Sequence, residues 1–314
     1  MRILVVRLGA MGDVIHTLPA VASLKASFPG AHLAWAVDPK WAVLLEGNSS
    51  VDEIIPLNRR KWESIRAAWT RLRRQRFDLA VDFQGLIKSA AVARASGARL
   101  IAGLSREAAR EGLAALAYTR TCTPQAAHIV DRHLELARAA GADHTRIEFP
   151  IPPGAAEGDL PKEGFVLASP FAGWPSKEWP MENYASLAAL LRRQSGLPLV
   201  LNVPPSAPAM EGVIMHVSSI AGLIDATRRA RAVVGLDSGP LHLAAALGKP
   251  GVAIFGPTDP ERNGPYGGTI RVLRAPRAVT SYKRRQQHDE SMSRIRPEDV
   301  MEALETHAIP ETLR

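Results

Sequence analysis

The stretch ILVVRLGAMGDVIHTLPA, Ile3 to Ala20, runs an apolar segment closed by Arg7 into a glycine turn and on into a helix-like pattern. A strand that passes through a tight turn into a helix is the unit of an α/β fold with a parallel sheet. Such a turn usually holds a nucleotide phosphate. Here, however, Gly9 and Gly12 are spaced G-x-x-G, not G-x-G-x-x-G, and the chain has no G-x-x-x-x-G-K-[ST] loop. An ionised Asp13 in this turn would also repel a pyrophosphate. It suits the removal of a proton from an acceptor hydroxyl, and it equally suits capping the helix that follows.

The βα rhythm continues through the chain. Ile3–Arg7, Leu33–Val37, Glu53–Ile55, Leu79–Phe83 and Leu100–Ile101 read as buried strands. Thr17–Ser27, Trp62–Arg74 and Ile129–Ala140 read as helices, because apolar residues recur every three or four positions. The segment PIPPGAAEGDLPKEG, Pro150 to Gly164, is rich in Pro and Gly and reads as a domain boundary. Beyond it the rhythm restarts. Strands are expected at Phe165–Ala168, Leu199–Val203, Ala232–Leu236, Val252–Phe255 and Ile270–Leu273. Helices are expected at Tyr184–Gln194, Leu223–Ala230, Leu241–Leu247 and Pro297–Leu304. The expectation is two doubly wound domains, 1–153 and 154–314, facing a central cleft, with the last helix free to return to the first domain. Ligands bind at the carboxyl ends of such strands.

With 314 residues, 46% hydrophobic and 22% charged, the composition is that of a globular protein. No apolar run approaches the length of a membrane span. The opening residues enter a strand pattern directly, unlike a signal peptide, so a cytoplasmic chain is expected. The single Cys122 excludes a disulfide framework and reads as a packing residue. The net charge of +8 favours anionic partners. It is concentrated between Arg59 and Arg76, where eight basic residues face one acid, Glu63. This run is either a solvated helix face or a platform for a polyanion.

Two further stretches carry chemistry. In SPFAGWPSKEWP, Ser169 to Pro180, a strand ends, Gly173 allows a turn, and Lys177 follows. Lys177 is placed to bind a phosphate as a point charge, unless it is merely exposed; Trp174 and Trp179 read as packing. In VVGLDSGPLHLAAALGKPGVAIFGPTDP, Val233 to Pro260, a strand ends at Asp237, Ser238 and Gly239 turn the chain, and Pro240 starts a helix. The helix N-terminus would present free N–H groups to an anion, with His242 on its first turn. His242 could alternatively be a hydrogen-bonded helix residue. The chain has no D-x-D, H-E-x-x-H, C-x-x-C or G-x-S-x-G, so no metal site or nucleophile elbow is expected.

LGAMGDVIHTLPA, VDFQGLIKSA and DSGPLHLAAALGKP followed by FGPTDP together resemble glycosyltransferase family 9, the heptosyltransferases. Arg60-Lys61-Trp62, QGLIKSA and AREGLAALAY, Ala109 to Tyr118, make the chain most similar to the family's lipopolysaccharide heptosyltransferase I branch. The resemblance spans Met1 to about Gly267. It implies a GT-B fold, two Rossmann-like domains with the active site between them. It implies inverting transfer of heptose from ADP-L-glycero-D-manno-heptose to the Kdo of Kdo2-lipid A, with no metal or other cofactor and with peripheral contact to the anionic cytoplasmic face of the inner membrane. By position, Asp13 becomes the general base. Gly173, Lys177, Ser218, Asp237, Ser238, Gly239 and His242 fall at donor-binding positions. Gly12, Arg60, Lys61, Gln84, Lys88 and Arg110 fall at acceptor-binding positions.

The chain departs from the family in three places. Ala172 and Gly173 stand where hydroxyl residues are common, and Ser218 stands where an adenine-packing Met is common. No clear ribose-binding acid occurs near Asn202–Gly212, where Glu211 is the nearest candidate. A transferase using another nucleotide sugar is the alternative these departures keep open. A dehydrogenase is disfavoured by the failed glycine fingerprint. A non-enzymatic nucleotide- or polyanion-binding protein would use the basic run, but no nucleic-acid module supports it and no nucleic-acid partner is expected.

Overall fold

The computed structural model describes residues 1–281 and 289–309, which divide into two compact units, one up to Pro152 and one from Pro153 onward. In the first unit, β1 (Arg2–Val6), β2 (His32–Val37), β3 (Glu53–Pro56), β4 (Leu79–Asp82), β5 (Leu100–Leu104) and β6 (Arg120–Cys122) form a parallel sheet ordered β3-β2-β1-β4-β5-β6. Helices α1 (Met11–Ser27), α2 (Trp62–Gln75), α3 (Ile87–Ala95) and α4 (Ile129–Ala139) alternate with the strands. The second unit repeats the plan with β7 (Val166–Ala168), β8 (Leu199–Asn202), β9 (Ile214–His216), β10 (Ala232–Leu236), β11 (Gly251–Phe255) and β12 (Ile270–Arg274). Its order, β12-β11-β10-β7-β8-β9, is the same winding read from the other edge. Its helices are α5 (Met181–Gln194), α6 (Ile220–Arg229), α7 (Gly239–Ala246), the short α8 (Pro260–Asn263) and α9 (Glu290–Ser293), and α10 (Pro297–His307).

The central strands are buried on both faces, which is why they read as apolar runs and not as alternating patterns. Ile3, Leu4, Val5 and Val6 are fully buried, as are Leu199, Val200 and Leu201. In each unit the strand order reverses between the first and fourth strands, β1 and β4 or β7 and β10. The loops leaving those strands diverge there and open a crevice at the carboxyl edge of the sheet.

The differences from the expected elements have physical causes. Helix α1 starts at Met11, six residues before the expected Thr17. Nearly all of its residues from Met11 to Leu24 are buried, so it has no polar face to generate a helical period. The unexpected α3, IKSAAVARA, lacks a large apolar stripe. The unexpected β6 and β9 are three-residue strands at sheet edges. The last helix, expected as free to return to the first domain, packs on α5, β11 and β12 of the second unit. Its residues Val300, Met301, Ala303 and Leu304 are buried in the second core with Trp179 and Tyr184. The indole N–H of Trp179 donates to the Ile295 carbonyl at 2.8 Å.

A carboxyl group is built into the first core. Asp82 at the end of β4 is fully buried and accepts from Ser89 Oγ and Tyr118 Oη, each at 2.7 Å, and from Gln84 N–H at 2.8 Å. Burial pushes its carboxyl above the ordinary range, and these donors oppose the shift without cancelling it. Tyr118 reaches Asp82 because its ring lies flat over Gly103 of β5, where a Cβ would stand 2.3 Å from the ring. Gly103→Ala should therefore overpack the core and lower stability by about 1–3 kcal/mol in urea unfolding. An unchanged unfolding midpoint would show that the ring can move away freely.

Candidate functional site

At the switch point of the first unit, Asp13 occupies the third position of α1. Its Oδ2 accepts the Ala10 N–H at 2.9 Å and caps the helix start. Its Oδ1 lies 2.5 Å from the guanidinium of Arg7. Arg7 also donates to the Phe83 carbonyl just past β4. The Arg7 side chain is buried, whereas that of Asp13 is 40% exposed. The carboxylate is thus held from behind by a cation and presents open lone pairs outward. Both sequence readings of Asp13, a cap and an acid facing a ligand, are compatible with one geometry.

Beneath this pair lie three histidines. His133 of α4 is buried, its Nδ1 3.3 Å from Thr17 Oγ1 and 3.2 Å from the His16 carbonyl. Burial and the neighbouring Arg7 charge push its pKa down to about 3, so the ring is neutral at working pH. His16 and His128 meet edge to face at 5.9 Å.

The other first-unit candidates lie on loops of the same sheet edge. Gly12 is buried in the first turn of α1. Gln84 leaves β4, and its Oε1 accepts the Leu8 N–H at 2.8 Å, which ties the β4–α3 turn to the β1–α1 turn. Lys88 is exposed at the start of α3, and Arg110 is exposed with its backbone against Gly85. Arg60 and Lys61 are exposed in the turn entering α2 from β3, at the far edge of the sheet. Helix α2 buries only Ala68 and Leu72. Trp62, Arg66, Trp69 and Arg73 follow one stripe of its exposed face, with Trp62 72% exposed and the Arg73 guanidinium 5.2 Å from the Trp69 ring centre.

The switch point of the second unit gathers Lys177 after β7 with Asp237, Ser238, Gly239 and His242 after β10. Lys177 Nζ lies 2.5 Å from Asp237 Oδ2 and 4.5 Å from the Trp174 ring centre. Trp174, expected as packing, therefore also places the ammonium. His242 Nε2 lies 3.6 Å from the other Asp237 oxygen. Burial acts to raise the Asp237 pKa, but His242 and Lys177 outweigh it and hold the carboxyl well below the usual carboxylate range. Ser238 is the N-cap of α7, yet its Oγ makes no cap bond and is buried without a hydrogen-bond partner among the described residues. Gly239 is the first helical residue. A hydroxyl left unbonded beside a helix N-terminus is ready to donate to an anion. Ser218, at the end of β9, accepts from Asn202 Nδ2 at 2.8 Å.

Two expectations need correction. Gly173 does not have the left-handed backbone that only glycine favours, and a Cβ there would meet nothing within 4 Å. The turn does not depend on it. Cys122 lies half-buried on edge strand β6 and not deep in a core. Two further residues bear on these sites. Thr258, in the GPTDP turn after β11, is buried, and its Oγ1 has no hydrogen-bond partner among the described residues; a hydroxyl in a Gly/Pro turn leaving a strand was the available signal. Arg7 read only as the end of a strand, although a charge closing an apolar run was its signal. Glu211 is exposed beside Gly212. Among the described residues, no group of three or more His, Cys, Asp or Glu could hold a metal ion.

Comparison with known proteins bears on this arrangement. The sequence profile of glycosyltransferase family 9 (heptosyltransferase) matches residues 65–292. Lipopolysaccharide heptosyltransferase 1 of Pseudomonas aeruginosa PAO1 is 31% identical over 299 residues, covering 85% of this chain and 82% of that protein. The protein of the same name from Escherichia coli K12 is 32% identical over 308 residues, covering 88% and 94%. The structure of E. coli heptosyltransferase WaaC with ADP superposes with a TM-score of 0.79 at 28% identity, covering 98% of this chain and all (100%) of that one. That of E. coli ADP-heptose lps heptosyltransferase II, at 24% identity and a TM-score of 0.81, shares the fold and covers 99% and 100%. Each unit thus has the six-stranded, doubly wound sheet of a Rossmann-like domain, as in GT-B heptosyltransferases.

The neutral His133 yields a stability test. Its folded pKa of about 3 lies below the ordinary histidine value of 6.5, so in that window the unfolded chain takes up a proton that the fold excludes. Stability is full above about pH 6.5 and falls as pH drops toward 3, by at most about 1.4 kcal/mol per unit. His133→Gln should flatten this dependence, measured as urea unfolding at several pH values. An unaltered slope would mean that the ring is protonated in the fold.

Proposed function

The chain belongs to glycosyltransferase family 9, and from that premise we propose that it is the heptosyltransferase that transfers L-glycero-D-manno-heptose from ADP-heptose to the Kdo of Kdo2-lipid A. The observation that carries this reading is the division of charge between the two switch points. The first presents a carboxylate, Asp13, fixed at the start of α1. The second presents a lysine, a helix N-terminus and an unbonded serine hydroxyl. The names of the relatives, lipopolysaccharide heptosyltransferase 1, support the donor and the pathway.

In this reading Asp13 takes the proton from the attacking Kdo hydroxyl as that oxygen bonds to the anomeric carbon of the heptose. The bond to ADP breaks on the opposite face, so the configuration inverts. Negative charge develops on the departing diphosphate. Lys177, Ser238 Oγ and the first N–H groups of α7 meet it with fixed positive groups, which act most strongly where charge appears in the transition state. No metal ion enters the step. Asp237 would repel a phosphate, and its task is to orient Lys177 and His242, which it holds in place. Gly12, Gln84, Lys88 and Arg110, with Arg60 and Lys61, grip the anionic acceptor. Gly173 and Ser218 line the donor side. The Trp62–Arg73 face of α2 contacts the anionic cytoplasmic leaflet, since indole rings favour the membrane interface and arginines its phosphates. A second reading, a different nucleotide sugar, is favoured by the polar Asn202–Ser218 pair at the ends of β8 and β9.

Purified protein incubated with ADP-heptose and Kdo2-lipid A in EDTA should release ADP and add one heptose to the product mass. Turnover with a UDP- or GDP-sugar in its place would establish the second reading. Asp13→Asn should lower kcat by about 10²–10⁴-fold and leave ADP binding intact. Retained turnover would leave Asp13 a cap only. Arg60→Ala with Lys61→Ala should raise the acceptor KM and reduce flotation with phosphatidylglycerol vesicles, while sparing the KM for ADP-heptose. Unchanged acceptor KM and flotation would remove this surface from the reaction.

A further inference from the structure

We propose that Arg7 is a positioning residue that yokes the base to the loop gripping the acceptor; this rests on the reading of Asp13 as the base. The Arg7 side chain is 8% exposed and reaches two elements. One nitrogen lies 2.5 Å from Asp13 Oδ1 on α1, and the other donates to the Phe83 carbonyl between β4 and α3. The next residue adds a parallel tie, Leu8 N–H to Gln84 Oε1 at 2.8 Å. Gln84 is fixed in turn by Asp82, which accepts its N–H at 2.8 Å and that of Gly85 at 3.3 Å. The two turns that diverge at the switch point are thus locked into one body, with Arg7 at its centre.

A structural role alone accounts poorly for this arginine. The start of α1 is already capped by Asp13 on the Ala10 N–H. An apolar side chain would fill the same space without the desolvation cost of a buried guanidinium. That cost is offset in part: the two terminal nitrogens of the planar fork meet a carboxylate and a carbonyl together, while the buried Nε has no partner among the described residues. The result bears on proton transfer. With Oδ1 on Arg7 and Oδ2 on Ala10, the carboxylate is held at both oxygens, and 40% of the side chain stays open to solvent. The guanidinium has no basic lone pair, and burial together with the Arg7 charge makes His133 a weak base, so neither neighbour takes the proton that Asp13 accepts. Because the same fork holds the Phe83 carbonyl, a shift of the acceptor loop is felt at the base.

The test separates kcat from KM. Arg7→Met should lower kcat about 10²-fold, the scale of a misplaced catalytic group, and raise the acceptor KM while sparing the KM for ADP-heptose. Arg7→Lys keeps a charge but is a single point donor. It should recover much of kcat with the acceptor KM still raised. In an Asp13→Asn background, Arg7→Met should slow turnover no further. Independent, multiplying losses in that double variant would overturn the proposal, as would a wild-type kcat in Arg7→Met. If Arg7→Met melts too early to assay, Arg7→Lys decides, and a wild-type acceptor KM there overturns it. Full turnover of Asp13→Asn alone would instead refute the base itself, an outcome distinct from failure of the yoke.

Discussion

Parallel strands can be joined only by crossovers, and crossovers have one hand. This constraint delivers every βα loop to the carboxyl edge of its sheet. Where the strand order reverses, between β1 and β4 and between β7 and β10, neighbouring loops part and leave room for a ligand. The candidate residues follow from it. Asp13 leaves β1 and Gln84 leaves β4; Lys177 leaves β7 and Asp237 leaves β10. Four positions scattered over most of the chain thereby become two pairs. Fully apolar central strands make this possible, because only a sheet buried on both faces can carry helices on each side.

The two switch points solve opposite electrostatic problems with similar parts. In the first, a buried cation stands behind a partly exposed carboxylate, so negative charge is presented outward. In the second, a buried carboxylate stands behind a lysine and a histidine, so it organises positive groups. Each buried charge is paired, as burial demands. Asp237 and His133 show how strongly the surroundings decide. Asp237 keeps its charge against burial because two basic side chains flank it. His133 loses its charge because burial and a neighbouring arginine both oppose it.

Much of this was legible in the residues themselves. Both sheets announce themselves as apolar runs of strand length, and the Pro150–Gly164 segment interrupts the rhythm. Asp13, Lys177 and Asp237 stand directly after such runs, so their place at the carboxyl edge follows from local order alone. What escaped has a common cause. Helix α1 is buried all round and α3 is built from small residues, so neither shows a helical period. Strands β6 and β9 are too short to show any. Arg7 and Thr258 matter through contacts with residues distant in the chain or through the lack of a partner, and neither is a property of a local pattern.

Local chemistry by itself determined that this chain is a two-part α/β protein, that its charge favours anions, and that its motifs are those of glycosyltransferase family 9. The first of these needs only the order of apolar and turn residues, because hydrophobic burial and backbone stereochemistry act over a few neighbouring positions; the charge comes from composition, and the family from the resemblance of its motifs. Tertiary structure alone decided that Arg7 joins Asp13 to the Phe83 turn, that Asp82 is shared by Ser89 and Tyr118, that Trp174 lies beneath Lys177, and that α10 covers the second sheet. Hydrogen bonds and buried charges are short-ranged in space, not in sequence, so their partners are known only once the chain has folded.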